Sequence, residues 1–262
     1  QQVEFLQQLK SHSLDVQVVR QFSQTLNSVV IHADQQTIEK IRKLPNVERV
    51  IREQKYRTTL AESVPLINAP KVWQMLDSNE RAINGSGVSV AILDTGIDYT
   101  HPDLGGCLGE NCKVVAGWDF VNNDADPMDG NGHGTHVAGI VAAEGDGYSG
   151  VAPKAELYAY KVLTDDGWGT NTDIIAAIEH AVDPDNDPLT DDAVDIINMS
   201  LGGGGSPTDP LSEATNAAVD AGIIVVVAAG NDRTYGAINT SSPANAVKAI
   251  TVASSTKSDD LS

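Results

Sequence analysis

The chain has 262 residues, enough to bury the core of one or two domains. Its formal net charge of −19 argues against a nucleic-acid binder, which needs clustered lysine and arginine. It contains no run of about 18 apolar residues, so the sequence predicts no membrane span.

The charge is unevenly distributed along the chain. Residues 1–57 carry nine basic and six acidic residues, whereas the remainder carries eight basic and thirty acidic ones. A mildly basic front and a strongly acidic body indicate two units that attract each other. Two domains that differ only in composition would give the same numbers, so that alternative stays open.

Residues 1–58 are predicted to form a small α+β domain. Its predicted elements are a strand over residues 28–33, a helix that Asp34 caps and that runs to Lys43, a second strand over residues 47–51 and a charged linker over residues 52–63.

Residues 59–262 show a different pattern, in which short apolar segments alternate with helical ones. The predicted strands are 88–93, 114–117, 157–162, 196–199, 223–229 and 248–253, and the predicted helices are 136–143, 173–182 and 210–221. Asp209 is expected to cap the last helix. This alternation predicts an α/β fold, a parallel sheet with helices on both faces.

Cys107 and Cys112 are the only two cysteines. Zinc needs four ligands and nothing else in the segment supplies the other two. A small disulfide loop is therefore favoured, and it indicates an oxidising compartment outside the cytoplasm. Two free thiols remain the alternative.

Three polar residues fall where an open α/β sheet binds its ligands, beyond the carboxyl ends of strands. Asp94 follows the strand over residues 88–93, His133 lies where a glycine-rich stretch gives way to a helix, and Asn231 follows the strand over residues 223–229. Taken singly, each has a structural alternative: a helix cap, a tight turn and an ordinary turn. A metalloprotease helix is excluded, because no glutamate follows His133.

Taken together, the segments 91–98, 130–139 and 228–231 closely resemble the subtilisin-like serine proteases, and the resemblance runs from about residue 64 to the end of the chain. It implies that Asp94 orients the imidazole, that His133 is the general base and that Asn231 donates to the oxyanion.

The same resemblance implies how substrate and propeptide bind. Two edge segments would hold an extended peptide substrate between them by β-augmentation. Their residues are Gly167, Trp168, Gly169, Ser200, Leu201 and Gly202. Residues 1–58 resemble the family's inhibitory propeptide, which threads its C-terminal tail into the same cleft.

Calcium is the expected structural cofactor. Asp119, Asn122, Asp124, Asp126 and the Met128 carbonyl match a calcium site of thermophilic members of the family. A second run of alternating carboxylates, which resembles the start of an EF-hand loop, comprises Asp183, Asp185, Asp187 and Asp191. It departs from that motif because Pro188 stands where glycine is needed and the closing glutamate is missing. Solvated acidic loops remain the alternative in both cases.

The family's nucleophilic serine lies in a Gly-Thr-Ser-Met-Ala-type motif, which does not occur in this sequence. We therefore expect the N-terminal part of a secreted endopeptidase precursor, inactive by itself, whose substrate is protein or peptide and whose propeptide is an intramolecular partner. The alternative is a non-catalytic fragment or pseudoprotease that acts as a peptide-binding, calcium-binding or inhibitory module. The presence of Asp94, His133 and Asn231 favours the precursor, because a binding module does not need them.

Overall fold

The computed structural model describes residues 2–12, 14–53, 55–58, 67–145, 148–185, 187, 192–231 and 241–254. None of the helices within these residues is long and apolar enough to cross a membrane.

The N-terminal unit combines two helices with a two-stranded antiparallel sheet. Its elements are α1 (Gln2–Ser11), β1 (Gln17–Phe22), β2 (Ser28–His32) and α2 (Gln35–Ile41). The predicted cap of α2 is confirmed, since Asp34 Oδ1 accepts the N–H of Thr37 at 2.7 Å. Leu9, Ile41 and Leu44 form the small buried core of this unit.

Two predictions for this unit are wrong. Residues 47–51 form no regular strand, and Val47 and Val50 pack irregularly against the small core instead. The partner of β2 is β1, which buries only Phe22 and so lacks the alternation that marks a strand. Moreover, the predicted linker contains a strand, β3 (Lys55–Thr58), whose partners lie in the second unit.

The second unit is built on six parallel strands, which confirms the predicted α/β fold. They are β4 (Ser89–Asp94), β5 (Val114–Asp119), β8 (Glu156–Lys161), β10 (Ile196–Met199), β12 (Ile224–Ala228) and β13 (Ile250–Val252). Their order across the sheet is β13-β12-β10-β4-β8-β5. Residues 91–93 of the central strand β4 are fully buried, as a sheet covered on both faces requires.

Helices cover both faces of this sheet. The α-helices of this unit are α3 (Ala69–Val72), α4 (His133–Ala142), α5 (Asn171–Val182) and α6 (Pro210–Asp220). Helices α5 and α6 pack into one hydrophobic core, and α4 packs into another on the opposite face. Asp209 caps α6 as predicted, with its Oδ1 accepting the N–H of Ser212 at 2.9 Å.

Two short sheets lie outside the main one. Strands β6 (Glu144–Gly145) and β7 (Tyr148–Ser149) form a hairpin. Strands β9 (Trp168–Thr170) and β11 (Leu201–Gly202) lie on either side of β3, and both pairings are antiparallel. The end of the N-terminal unit is thus the central strand of a sheet whose two edges belong to the second unit.

The two cysteines form a disulfide, so the alternative of two free thiols is wrong. Cys107 and Cys112 have their Cα atoms 5.6 Å apart and no cysteine is free. In the chain-entropy view, closing such a short loop stabilises the folded chain by about 2 kcal/mol.

The imidazole of His180 on α5 is a source of acid sensitivity. Its Nδ1 lies 3.0 Å from the Tyr160 hydroxyl, and its ring packs edge-on against Tyr160 and Phe120. Burial lowers the pKa of His180, and the charges of Asp192 and Asp183 oppose this shift only in part. The folded protein therefore resists protonating a side chain that the unfolded chain protonates below about pH 6.5.

We expect His180 to lower the free energy of unfolding as the pH falls below about 6.5, because the unfolded chain then binds a proton that the folded imidazole resists. One such group contributes a slope of at most about 1.4 kcal/mol per pH unit. His180→Gln should reduce this slope. Urea unfolding at pH 5.5, 6.5 and 7.5 would measure it, and equal slopes for both proteins would contradict the assignment.

Candidate active site

Three predicted site residues lie at the carboxyl-terminal edge of the parallel sheet or beside it. Asp94 is the last residue of β4, and Asn231 follows the end of β12 after Gly230, whose φ of +97° turns the chain. His133 is the first residue of α4. Because β4 and β12 are both parallel to β10, their carboxyl ends open on the same edge.

Asp94 and His133 are in direct contact. Asp94 Oδ1 lies 2.6 Å from His133 Nδ1, and the same oxygen accepts the N–H of Thr95 at 2.8 Å. Since an ionised carboxylate only accepts hydrogen bonds, Nδ1 carries the proton in this pair. Burial raises the pKa of the Asp94 carboxyl, while the bonds from His133 and Thr95 oppose the rise.

The second ring nitrogen of His133 is available for proton transfer. His133 Nε2 is buried and has no hydrogen-bond partner among the described residues. A tautomer with its proton on Nδ1 leaves Nε2 as the basic nitrogen. The pair can therefore accept a proton at Nε2 while Asp94 stabilises the imidazolium that forms.

Asp129, which no sequence motif marks out, forms hydrogen bonds both to the residue after Asp94 and to residues on either side of His133. Its Oδ1 accepts from the Thr95 hydroxyl and from the N–H groups of Asn131 and Gly132, and its Oδ2 accepts from both donors of Thr135. Burial alone would raise the pKa of Asp129, but these hydrogen bonds outweigh it and keep the pKa below its usual value. Nothing in the sequence pattern distinguished Asp129 from a solvated loop acid.

Close packing fixes the start of α4 against the end of β4. A Cβ on Gly134 would lie 2.1 Å from the carbonyl oxygen of Gly96, so only glycine fits there. The N–H of Gly134 donates to the Thr95 hydroxyl at 2.9 Å. The predicted helix start at residue 136 was therefore three residues late, because the glycine-rich stretch already belongs to the helix from His133 on.

The predicted substrate segments flank β3. Trp168 and Gly169 pair with Arg57 and Tyr56 on one side, and Leu201 and Gly202 pair with Thr58 and Arg57 on the other. Gly167 precedes β9 with a φ of +77°, and the Ser200 hydroxyl accepts from Asn198 Nδ2 at 3.1 Å just before β11. This arrangement holds an extended peptide by main-chain pairing on both edges.

The first predicted calcium loop is occupied by its own hydrogen bonds. Asp119 Oδ1 accepts the N–H groups of Val121 and Asn122, and its Oδ2 accepts from Asn122 Nδ2. Asp124 accepts from the N–H of Asp126, whose Oδ1 in turn accepts from a tyrosine hydroxyl. Within the described residues these three carboxylates do not form a shared cluster. The Met128 carbonyl lies close to Gly96.

The second predicted calcium run does form a cluster. Asp183, Asp185 and Asp192 each place a carboxylate oxygen within 4.8 Å of the other two, and we call these three residues the acidic cluster. Asp187 donates its N–H to Asp185 Oδ1 rather than joining the cluster, and Asp191 lies outside the described residues. Asp192 was missed, although it continues the same acidic run. Burial, followed by the charge of Asp185, raises the pKa of Asp192.

Side chains of the N-terminal unit contact the helices that flank the site. Arg49 forms an ion pair with Glu213 and donates to the Thr208 carbonyl at the start of α6. At the start of α5, Thr172 donates to Glu53. Arg20 and Asp173 form a second ion pair, in which a guanidinium nitrogen lies 3.8 Å from Asp173 Oδ1. These pairs match the opposite charges of the two units.

Comparisons with known proteins agree with this architecture. The profile of the subtilase family matches residues 85–262, and the profile described as peptidase inhibitor I9 matches residues 1–59. Thermitase of Thermoactinomyces vulgaris is 41% identical over 199 residues, which cover 75% of this chain and 62% of that protein. Subtilisin DY of Bacillus licheniformis is 44% identical over 184 residues, which cover 70% of this chain and 59% of that protein.

A thermophilic serine proteinase of Bacillus sp. (strain AK1) is 44% identical over 179 residues, 67% of this chain and 40% of that protein. The chain thus spans between 40% and 62% of the length of these three relatives. Since the subtilase profile covers well over half of the sequence, the chain belongs to the subtilase family and carries an inhibitor I9 unit at its N-terminus.

Proposed function

We propose that this chain consists of the propeptide and the first part of the peptidase domain of a secreted subtilisin-like serine endopeptidase precursor. The propeptide would comprise residues 1–58 and the peptidase part residues 59–262. The 2.6 Å contact between Asp94 Oδ1 and His133 Nδ1 is the observation that carries the proposal, and His133 Nε2, which has no hydrogen-bond partner among the described residues, supports it. The disulfide supports secretion, because such bonds persist in oxidising compartments.

In the proposed reaction, a serine supplied by the sequence that follows Ser262 attacks the peptide carbonyl. His133 Nε2 takes the proton of that hydroxyl and later gives it to the leaving amine, while Asp94 holds the ring in orientation. The side-chain amide of Asn231 would donate to the tetrahedral oxyanion, an interaction worth about 3–4 kcal/mol in subtilisin. The peptide would lie where β3 lies now, between β9 and β11.

A fluorophosphonate probe tests this function, since it labels only an activated serine. We expect labelling of a gene product that continues through the serine motif, and none of the 262-residue chain, whose serines lack that motif. His133→Ala in the longer product should abolish labelling. A longer product that stays unlabelled would contradict the protease and favour the non-catalytic alternative.

The N-terminal unit is proposed to act as the intramolecular inhibitor of the site. Its tail β3 occupies both substrate edges through backbone pairing, and its body is held by the ion pairs of Arg49 and Arg20. A segment paired on both sides excludes a substrate that needs the same edges. Inhibition therefore follows from competition for β9 and β11.

The acidic cluster is the site at which we propose structural calcium. Asp183 is 5% exposed, and its Oδ1 and that of Asp192 are buried without hydrogen-bond partners among the described residues. Buried carboxylate oxygens without donors are costly unless a cation pairs with them. Hard oxygen donors fit calcium, whose two positive charges would offset most of the negative charge of Asp183, Asp185 and Asp192 there. For the loop of Asp119, Asn122, Asp124, Asp126 and Met128, calcium rests on the resemblance alone.

A further inference from the structure

The turn between β1 and β2 lies against the C-terminal end of α5. The N–H groups of Gln24 and Thr25 and the Thr25 hydroxyl all donate to Glu179 Oε1, at 3.0, 2.9 and 3.0 Å. In addition, Gln24 Nε2 donates to Asp183 Oδ2 at 3.1 Å. Four donors from the N-terminal unit thus converge on two carboxylates at one helix end.

One of these carboxylates also belongs to the acidic cluster. Asp183 is buried and uses Oδ2 for Gln24, while its Oδ1 has no hydrogen-bond partner among the residues described. The residue directly follows α5, where the helix dipole places partial negative charge. A neutral amide donor orients such a carboxylate but leaves its charge uncompensated, so a bound cation would stabilise it.

We propose that Gln24 is an outer-sphere residue of the cation site, contributed by the propeptide. It fixes the Asp183 carboxylate through Oδ2 and so presents Oδ1 to a divalent cation bound by the acidic cluster. This inference rests on the calcium site proposed above. Because coupling between two binding events is reciprocal, the cation binds more tightly when the propeptide is docked and the propeptide docks more tightly when the cation is bound.

Two effects of the cation on the bond from Gln24 oppose each other. A bound cation withdraws charge from Asp183 and weakens a charge-assisted hydrogen bond. On the other hand, a hydrogen-bonded ligand is held in the orientation that the metal needs, and loss of such an outer partner typically costs 10–100-fold in metal affinity. The second effect is the larger, so release of the propeptide lowers the affinity of the site for its cation.

Calorimetric titration of calcium chloride into the metal-free 262-residue chain tests the inference. Gln24→Ala should weaken binding at this site by about tenfold or more. Gln21→Ala is the matched control, because Gln21 is an exposed glutamine on β1 and should leave the affinity unchanged. Thr25→Val, which removes only a bond to Glu179, should also leave it unchanged if Gln24 acts directly on Asp183.

The variants Asp183→Asn and Asp192→Asn show which part of the heat of calcium binding comes from this site. If both variants bind calcium as the parent does, the proposed calcium site itself is wrong. If they lose binding while Gln24→Ala keeps the parent affinity, the site stands and the role of Gln24 is wrong. Equal losses in Gln24→Ala and Thr25→Val would also overturn that role, because general docking would then explain the effect.

Discussion

Replacing Asp94 by asparagine is expected to lower kcat about 10⁴-fold in a product that includes the serine motif, with a much smaller change in KM. The carboxylate accepts the Nδ1 proton of His133 at 2.6 Å and thereby keeps Nε2 basic. An amide N–H₂ at this position would donate to Nδ1 and place the ring proton on Nε2, so the imidazole could no longer accept the serine proton. The imidazolium would also lose its counter-charge.

Steady-state kinetics with a peptide substrate would measure this loss. Asp98→Asn is a suitable control, because Asp98 also follows β4 but accepts from Thr100 in an exposed turn. In the 262-residue chain, nitrogen chemical shifts of His133 report the tautomer without any activity, and Asp94→Asn should move the proton from Nδ1 to Nε2. A kcat of the Asp94→Asn variant within tenfold of the parent value would contradict the role of Asp94 in orienting His133.

The parallel sheet could be predicted because its central strands are buried on both faces. Residues 88–93 and 196–199 read as uninterrupted or nearly uninterrupted apolar runs, and the structure has β4 and β10 there within one residue. The caps Asp34 and Asp209 could also be predicted, since capping depends on local sequence. Where the determinants are local or strongly patterned, the sequence was sufficient.

Features that depend on tertiary partners could not be predicted in the same way. Asp129 acquires its importance from Thr95, which is 34 residues away, and a carboxylate in a loop looks the same whether solvated or bonded. Strand β1 has one fully buried residue because most of its surface faces solvent. Strand β3 is defined by its backbone pairing with β9 and β11. The periodicity of side chains along the sequence does not reveal such pairing.

The acidic cluster shows the limits of motif matching. The comparison with an EF-hand loop selected Asp183 and Asp185, which do converge, but it also selected Asp187, which forms a local backbone bond. Asp192 joins the cluster although it lies seven residues beyond Asp185 in the sequence. Its Oδ2 accepts the N–H of Asp185, and its other carboxylate oxygen has no hydrogen-bond partner among the described residues. Spacing along the sequence therefore does not determine which of these carboxylates meet.

Arg57→Pro is expected to detach β3 from its two neighbours. Arg57 pairs with Trp168 on one side and Gly202 on the other, so it is in the centre of a three-stranded sheet. Proline has no N–H and is not tolerated in a central strand. The lost main-chain hydrogen bond leaves its acceptor unpaired, at a cost of about 1–3 kcal/mol. That cost corresponds to roughly a 5- to 150-fold increase in the equilibrium constant for opening of the tail.

Amide hydrogen exchange across β9 and β11 in the 262-residue chain would report this opening. Arg57→Ala is the matched control, because it removes the same side chain and keeps the backbone N–H. We expect fast exchange for the proline variant and near-parent exchange for the alanine variant, and a longer, serine-containing product should lose inhibition in the same order. Equal exchange in both variants would mean that the side chain, not main-chain pairing, holds the tail in the cleft.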